Sequence, residues 1–168
     1  MKSKLVVLVF LLFVSILPTS CGSMVKNSAM NKMTVENHAI PPDFGKNNST
    51  LVCILQGRNS RDKYMRKHIE DNYRGKYVFL LKEELESDKY GNLDEYRYLL
   101  DYNAGSVLNT SFNTGGNLET RNLPTSSYYI YDRKMKEHYF SGTTSGMFGK
   151  LILAYSISLE SVRVANSQ

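Results

Sequence analysis

The two cysteines of the chain carry the side chains best suited to nucleophilic or redox chemistry, because a thiolate is a strong nucleophile. Cys53 lies inside the apolar run Leu51–Gln56, so we expect its side chain to be buried. A thiol in apolar surroundings has a raised pKa and reacts poorly. Cys21 directly follows a hydrophobic segment, which is the position of a processing site. The pattern predicts no catalytic residue, and it leaves a single-cysteine thiol oxidoreductase using Cys53 as the alternative function.

The N-terminal segment has the three parts of a secretory signal. Lys2 and Lys4 supply positive charge, and Leu5–Leu17 is apolar apart from Ser15. This stretch of 13 residues is shorter than the roughly 20 residues that a membrane-spanning helix needs. Small residues then precede Cys21. We therefore predict a signal peptide over residues 1–20.

The segment Leu17–Ser23 resembles the bacterial lipobox, whose cysteine is acylated and becomes the mature N-terminus. Pro18 stands where that motif usually has a leucine, so ordinary cleavage after Gly22 stays open as an alternative. The resemblance implies lipidation at Cys21, and several acyl chains hold a small domain on a membrane. It implies a lipid-anchored protein of the bacterial cell envelope. Surface-displayed lipoproteins of some bacterial groups carry an acidic cluster after the lipidated cysteine. No such cluster follows Cys21, so the resemblance favours the periplasmic face of the membrane.

Charge and composition exclude several kinds of partner and site. The formal charge is +5, of which Lys2 and Lys4 supply two positive charges, and acids alternate with bases along the rest of the chain. No block of Lys and Arg indicates nucleic-acid binding. His38, His68 and His138 lack the spacing of metal ligands. We therefore expect no metal, no cofactor and no nucleic acid.

Periodicity predicts a tether over residues 21–48 and one domain over residues 49–168. The tether is rich in Asn, Ser, Lys and Met. In the domain we predict a last helix from about Phe148, with Ser60 capping the first helix, and a long loop over Asn103–Asn122. The remaining predicted elements are strands at Leu51–Gln56, Tyr77–Leu81, Ser127–Tyr131 and Lys136–Ser141, and helices at Ser60–Tyr73 and Asn92–Tyr102.

The element order β-α-β-α-β-β-α, together with Arg121–Thr125 and Tyr128–Asp132, resembles the thioredoxin-like family, and most closely the TlpA-like redoxins of bacterial envelopes. The resemblance implies an α/β fold with a central mixed sheet flanked by helices. It also implies that Pro124 has a cis peptide bond and lies opposite the turn that follows the first strand. An unrelated α/β sandwich stays open as an alternative.

The family's Cys-x-x-Cys motif is absent from this turn, since Gln56–Asp62 contains no sulfur. Thiol-disulfide exchange needs a thiolate there. The resemblance therefore implies a redox-inactive domain that acts as a protein-binding, peptide-binding or accessory module, held on the membrane by its lipid anchor. Two segments are its predicted binding residues, the first through the anion affinity of a helix N-terminus and the second through backbone pairing. These residues are Arg58, Asn59, Ser60 and Arg61, and Leu123, Pro124 and Thr125.

Overall fold

The computed structural model describes residues 20–114 and 117–167, and the side chains of these residues except 20–23 and 106–124. The described chain is an α/β protein with a five-stranded mixed sheet, which confirms the predicted class. Its elements in chain order are α1 (Ser20–Lys32), β1 (Leu51–Leu55), α2 (Asn59–Asn72), β2 (Tyr77–Leu81), 3-10 helices at Lys82–Glu86 and Asp88–Tyr90, β3 (Tyr98–Thr114), β4 (Asn117–Asp132), β5 (Glu137–Tyr139) and α3 (Phe148–Asn166).

The strands lie in the order β2-β1-β3-β4-β5. β1 is parallel to both β2 and β3, whereas β3–β4 and β4–β5 are antiparallel pairs. The chain therefore leaves β1 in one direction to form β2 and then crosses back over β1 to form β3. Right-handed crossovers in opposite directions must use opposite faces of a sheet. Accordingly α2 packs on one face, and Tyr90 of the β2–β3 connection packs on the other.

Strand β1 is buried on both faces, which explains its uninterrupted apolar sequence. Because side chains alternate along a strand, Cys53 belongs to the larger core and Val52 to the smaller one. The larger core holds buried residues of α1, α2 and α3. The smaller core is completed by the β2–β3 connection. The buried members of the smaller core are Val52, Ile54, Leu80, Tyr90 and Leu99.

The predicted helix Asn92–Tyr102 is wrong. Asn92 does cap a turn, since its Oδ1 accepts hydrogen bonds from the N–H groups of Asp94 (3.1 Å) and Glu95 (3.4 Å). The chain then enters β3, where Tyr98, Leu100 and Tyr102 enter the larger core and Leu99 enters the smaller one. Leucine and tyrosine fit a helix stripe or a strand, and pairing with β1 decides for the strand.

The predicted loop Asn103–Asn122 is also wrong, because this segment belongs to strands β3 and β4. The two strands pair from Tyr98–Asp132 to Thr114–Asn117, with an irregularity between Ala104 and Ser106. Gly105 lies there at φ +112°, a conformation that a glycine adopts without strain. The paired strands continue well past the end of β1 as a two-stranded ribbon. We call residues 106–114 and 117–125 the ribbon.

The closing part of the domain follows the prediction. β4 and β5 form the expected antiparallel hairpin, with Tyr131 opposite His138. α2 and α3 occupy the first and last predicted helices. The thioredoxin-like order is nevertheless not reproduced, because an additional strand, β3, stands where a second helix was expected. In the described residues the three α-helices all contribute to the larger core on one face of the sheet, whereas the two 3-10 helices contribute Leu85 and Tyr90 to the smaller core on the other face.

We predicted a flexible tether over residues 21–48, but part of this segment packs on the domain. Part of it is the helix α1, and five of its apolar side chains lie in the larger core. The hydroxyl of Tyr155 in α3 donates a hydrogen bond to the carbonyl of Ala39 at 2.5 Å. A few apolar residues are enough to pack this polar segment on the domain, because α3 and the sheet supply the apolar surface that they contact. The five buried residues are Ala29, Met33, Ala39, Ile40 and Phe44.

A buried ion cluster fastens the same segment to the sheet. Arg97 donates from Nε to both oxygens of Asp132 (3.0 Å each) and from Nη2 to its Oδ2 (2.7 Å). Nη1 of Arg97 donates to Asp43 (2.7 Å), whose other oxygen accepts the hydroxyl of Tyr98 (2.8 Å). Burial works to raise the pKa of Asp132, but the hydrogen bonds from Arg97 and two backbone N–H groups hold that pKa below its usual value.

Candidate functional site

The turn between β1 and α2 lies at the carboxyl end of the parallel strands. Gly57 adopts φ +70° there, and Arg58 is the N-cap residue. Arg58 makes no hydrogen bond from its side chain to cap the helix in the described structure. Ser60, expected to be the cap, lies instead in the first turn of α2. Ligands of α/β proteins bind most often at this edge, where the connections of neighbouring strands leave in opposite directions. Here β1 connects to β2 on one side, and β3 connects to β4 on the other.

Polar side chains around this turn are tied to β3. Gln56 donates from Nε2 to Asp101 Oδ1 (2.9 Å) and to the carbonyl of Tyr102 (2.7 Å). The other oxygen of Asp101 accepts the hydroxyl of Tyr129 (2.8 Å). Asp62 Oδ1 accepts the N–H of Gln56 at 3.3 Å and lies 3.5 Å from the hydroxyl of Tyr102. Both carboxylates are therefore already engaged within the protein.

Arg61 lies against two aromatic rings, and a third ring packs on both of them. Its Cζ is 5.3 Å from the ring centroid of Phe148 and 5.8 Å from that of Tyr102. The ring of Tyr128 lies 5.0 Å from Phe148 and 5.9 Å from Tyr102. We call Arg61, Tyr102, Tyr128 and Phe148 the arginine–aromatic cluster. Cations over ring faces are attracted by the ring quadrupole, so the cluster holds the guanidinium in place.

Two atoms of this cluster have no hydrogen-bond partner in the described structure. They are Nη1 of Arg61 and the hydroxyl oxygen of Tyr128, and both are buried. The side chain of Tyr128 is 2% exposed. Burial, and after it the nearby hydroxyl of Tyr102, raises the pKa of Tyr128 well above its usual value. Tyr128 therefore keeps its proton at neutral pH and offers a hydrogen-bond donor.

The predicted binding residues fall in two places. Arg58, Asn59 and Ser60 are exposed in the turn and the first turn of α2, and Arg61 is half-buried beside them. Leu123 and Pro124 pair with Leu108 and Val107 in the ribbon, and their side chains lie outside the described residues. Thr125 is buried. The β4 residue that shares the arginine–aromatic cluster is Tyr128.

The peptide bond before Pro124 is trans, since the described chain contains no cis peptide bond. The cis geometry implied by the thioredoxin resemblance is therefore wrong for this structure. Pro124 lies inside strand β4, not in a loop facing the turn. A proline fits a strand where its nitrogen points away from the neighbouring strand.

Cys53 lies at the centre of β1, between Phe79 of β2 and Leu100 of β3, and has no exposed surface. Burial raises the pKa of its thiol far above the usual value, against a smaller opposite effect of Arg66. The thiol is protonated at neutral pH and is not open to solvent. This geometry gives no support to a single-cysteine oxidoreductase.

The predicted lipidation residue, Cys21, lies at the start of α1, and its side chain is outside the described residues. In residues 20–114 and 117–167, no helix is long and apolar enough to cross a membrane. Within the same residues, no group of His, Cys, Asp and Glu side chains could hold a metal ion.

Sequence reasoning identified Arg61 from its place at a helix start, but it did not associate Tyr102, Tyr128 and Phe148 with it. These three aromatic residues come from β3, β4 and α3, and nothing in their local spacing predicts that they meet. It also missed the cluster around Arg97. The available signal was that Arg97 stands between two tyrosines, Tyr96 and Tyr98. Aromatic neighbours indicate a buried position, and a buried arginine needs a carboxylate partner.

Comparisons with protein families, curated proteins and solved structures found no match to the chain.

Proposed function

We propose that the protein is a lipid-anchored accessory module of the bacterial envelope, facing the periplasm, which binds an extended segment of a partner protein and performs no thiol chemistry. The observation that carries the proposal is the free outer edge of β4 in the ribbon. Among the described residues, β5 pairs with β4 only at Ile130–Asp132, and Ser126 forms one isolated bridge with Ser145. No described strand pairs with the outer edge of residues 117–124.

A two-stranded ribbon is only marginally stable by itself, and its unpaired edge is a template for another strand. Domains that bind peptides by strand addition use such edges, because backbone hydrogen bonds give affinity without a deep pocket. The ribbon residues include only two charges, Glu119 and Arg121. Little charge repulsion therefore opposes an added strand.

Pro124 indicates which backbone groups of the ribbon point outward. It has no N–H to give to β3, so it fits the strand with its nitrogen facing the outer edge. Residues two apart in a strand point their backbone groups to the same side. The N–H and C=O groups of Asn122, Thr120 and Leu118 then face outward, whereas those of Arg121 and Leu123 face β3. The predicted binding segment Leu123–Thr125 adjoins this edge.

The anchor and the lack of redox chemistry have separate support. If Cys21 is acylated, it lies only eight positions along α1 before Ala29, which is buried in the core. Eight helical residues span about 12 Å. The domain would therefore be held close to the bilayer, where it meets other envelope proteins. The turn at Gln56–Asp62 has no sulfur, and Cys53 is buried.

A distant thioredoxin-like relationship is part of the proposal. The parallel β1–α2–β2 unit, the antiparallel β4–β5 hairpin and the closing helix α3 support it. It requires that β3 has been inserted between the first and third strands of the thioredoxin core. The trans bond at Pro124 and the parallel pairing of β1 with β3 are the departures it must accommodate.

The proposal is tested by photo-crosslinking in the envelope of the producing bacterium. A photoreactive residue replaces Asn122 in the ribbon, and a second variant carries it at the exposed Lys89 of the β2–β3 connection. We expect a discrete higher-mass adduct from position 122 only. Thr120→Pro should abolish this adduct, because it removes an outward N–H without touching the β3–β4 ladder. Thr120→Ala should leave it unchanged.

Equal adducts from both positions, or an adduct that survives Thr120→Pro, would contradict strand addition at this edge. Metabolic labelling with an alkynyl fatty acid tests the anchor separately. Label should appear on the natural protein and be absent from Cys21→Ser.

A further inference from the structure

The arginine–aromatic cluster contains one residue from the first turn of each of two helices. α2 begins at Asn59 and α3 at Phe148, and Arg61 of α2 lies against the ring of Phe148. In the described structure neither N-cap residue, Arg58 or Met147, makes a side-chain capping hydrogen bond. The first N–H groups of a helix have no partner within it, and its dipole is positive at this end. The N-terminus of α2 therefore favours negative charge close to Arg61.

The cluster also contains unused hydrogen-bond donors. Nη1 of Arg61 and the hydroxyl of Tyr128 are buried without a partner in the described part of the chain. A buried donor that gives up water without a new acceptor destabilises the folded state. Arginine offers donors only, so its partner must be an acceptor. The hydroxyl of Tyr128 is independent evidence that an acceptor is missing, because Tyr128 belongs to β4 and not to a helix terminus.

The nearby carboxylates do not supply the missing acceptor. Neither Arg58 nor Arg61 forms an ion pair with the described residues. Asp62 accepts the N–H of Gln56 and lies next to the hydroxyl of Tyr102. Asp101 accepts hydrogen bonds from Gln56 and from Tyr129. Both acids accept hydrogen bonds from other groups, and neither is a partner of Arg61 Nη1.

We propose that the cluster binds a small oxyanion, a carboxylate or phosphate group, which accepts hydrogen bonds from Arg61 Nη1 and the hydroxyl of Tyr128 and lies at the N-terminus of α2. An oxyanion supplies several acceptors, and hydrogen bonds from a charged donor such as Arg61 to an anion are stronger than those between neutral groups. The site is distinct from the outer edge of β4 and does not depend on a protein partner.

The test uses the full-length protein in detergent, titrated with sodium phosphate or sodium acetate at constant ionic strength, with sodium chloride as the reference. The readout is the change in melting temperature with anion concentration, which gives the affinity by linkage. We expect at least one of the two anions to raise the melting temperature above the chloride reference. The anion that does so identifies the group as phosphate or carboxylate.

Arg61→Met should weaken binding of that anion by about tenfold or more, since a charge-assisted hydrogen bond is lost. Tyr128→Phe should weaken it by about fivefold. Lys67→Met removes an exposed positive charge from the same helix and should leave binding unchanged.

No shift beyond chloride for either anion would overturn the proposal and would leave a bridging water as the partner of both donors. Equal weakening in Lys67→Met would also overturn it, because general charge would then explain the effect. If Arg61→Met does not fold, the natural protein and Tyr128→Phe still decide the question. None of these results depends on the envelope crosslinks.

Discussion

Replacing Arg97 by methionine should destabilise the domain more than removal of any surface charge. The Arg97 side chain is 10% exposed, and its partner Asp132 has no exposed surface. The substitution removes three donor–acceptor contacts of 2.7–3.0 Å to Asp132 and leaves that carboxylate buried without its cation. Removing one partner of a buried ion pair costs about 3–5 kcal/mol. The contact to the half-exposed Asp43 adds less, because solvent screens it.

Chemical denaturation by urea measures this loss, and thermal unfolding provides a second reading. For a domain of this size, each kcal/mol changes the melting temperature by about 2–4 °C. We therefore expect a decrease of about 6–20 °C. The matched control is Lys134→Met, which removes the exposed pair with Asp94 and should lower the melting temperature far less, because solvent screens that pair.

The double variant Arg97→Met/Asp132→Asn should be more stable than Arg97→Met alone, because it no longer buries an unpaired charge. The introduced asparagine can still accept the backbone N–H groups of Lys134 and Met135 that Asp132 binds. With the single variant Asp132→Asn, the set forms a double-mutant cycle that isolates the coupling between the two side chains. A loss in Arg97→Met no larger than in Lys134→Met, or no recovery in the double variant, would refute the reasoning.

The same pair predicts a pH dependence with a definite sign. The folded-state pKa of Asp132 is held below its usual value of about 3.9, so its contribution to stability is present above that pH and is lost as pH falls through the folded-state pKa. In Arg97→Met, burial alone should raise the pKa of Asp132. The difference in free energy of unfolding between that variant and the natural protein should therefore become smaller as the pH is lowered from 7 towards 4.

Three further predictions concern the packed N-terminal segment, the thiol and the turn. Phe44→Ala should cost about 3–5 kcal/mol in urea unfolding; no change would mean that residues 21–48 are a tether after all. Native protein should not react with iodoacetamide at Cys53, whereas denatured protein should; rapid native labelling would revive the single-thiol reading. Gly57→Ala should cost about 1–2 kcal/mol by φ strain alone, since its added Cβ meets no atom within 4 Å. An unchanged urea midpoint would contradict that φ.

Periodicity predicted the elements whose pattern is unambiguous. β1 is a short apolar run because both of its faces are covered, and α3 has a regular apolar stripe. Asn92–Tyr102 failed because Leu and Tyr at positions 98–102 suit a strand as well as a helix. Only the pairing of Leu99 and Leu100 with β1, far away in sequence, decides between them.

The packed N-terminal segment and the arginine–aromatic cluster depend on partners that are distant in sequence. Asp43 contacts Arg97, 54 residues later in the chain. Arg61 meets rings from β3 and α3. From local composition, residues 21–48 are only a polar segment, and the residues around Arg61 are only the start of a helix. The sheet order and the face of each crossover supply the missing information.

The availability of the outer edge of β4 is the central claim of the proposed function, and amide hydrogen exchange measured by NMR on the free full-length protein in detergent tests it most directly. We predict an alternation along the ribbon, with fast exchange at Thr120 and Asn122 and slow exchange at Arg121 and Leu123, whose N–H groups face β3. Slow exchange at all four amides would show that the edge is already covered, and fast exchange at all four would show that the ribbon is not formed. Either result would contradict binding by strand addition at this edge.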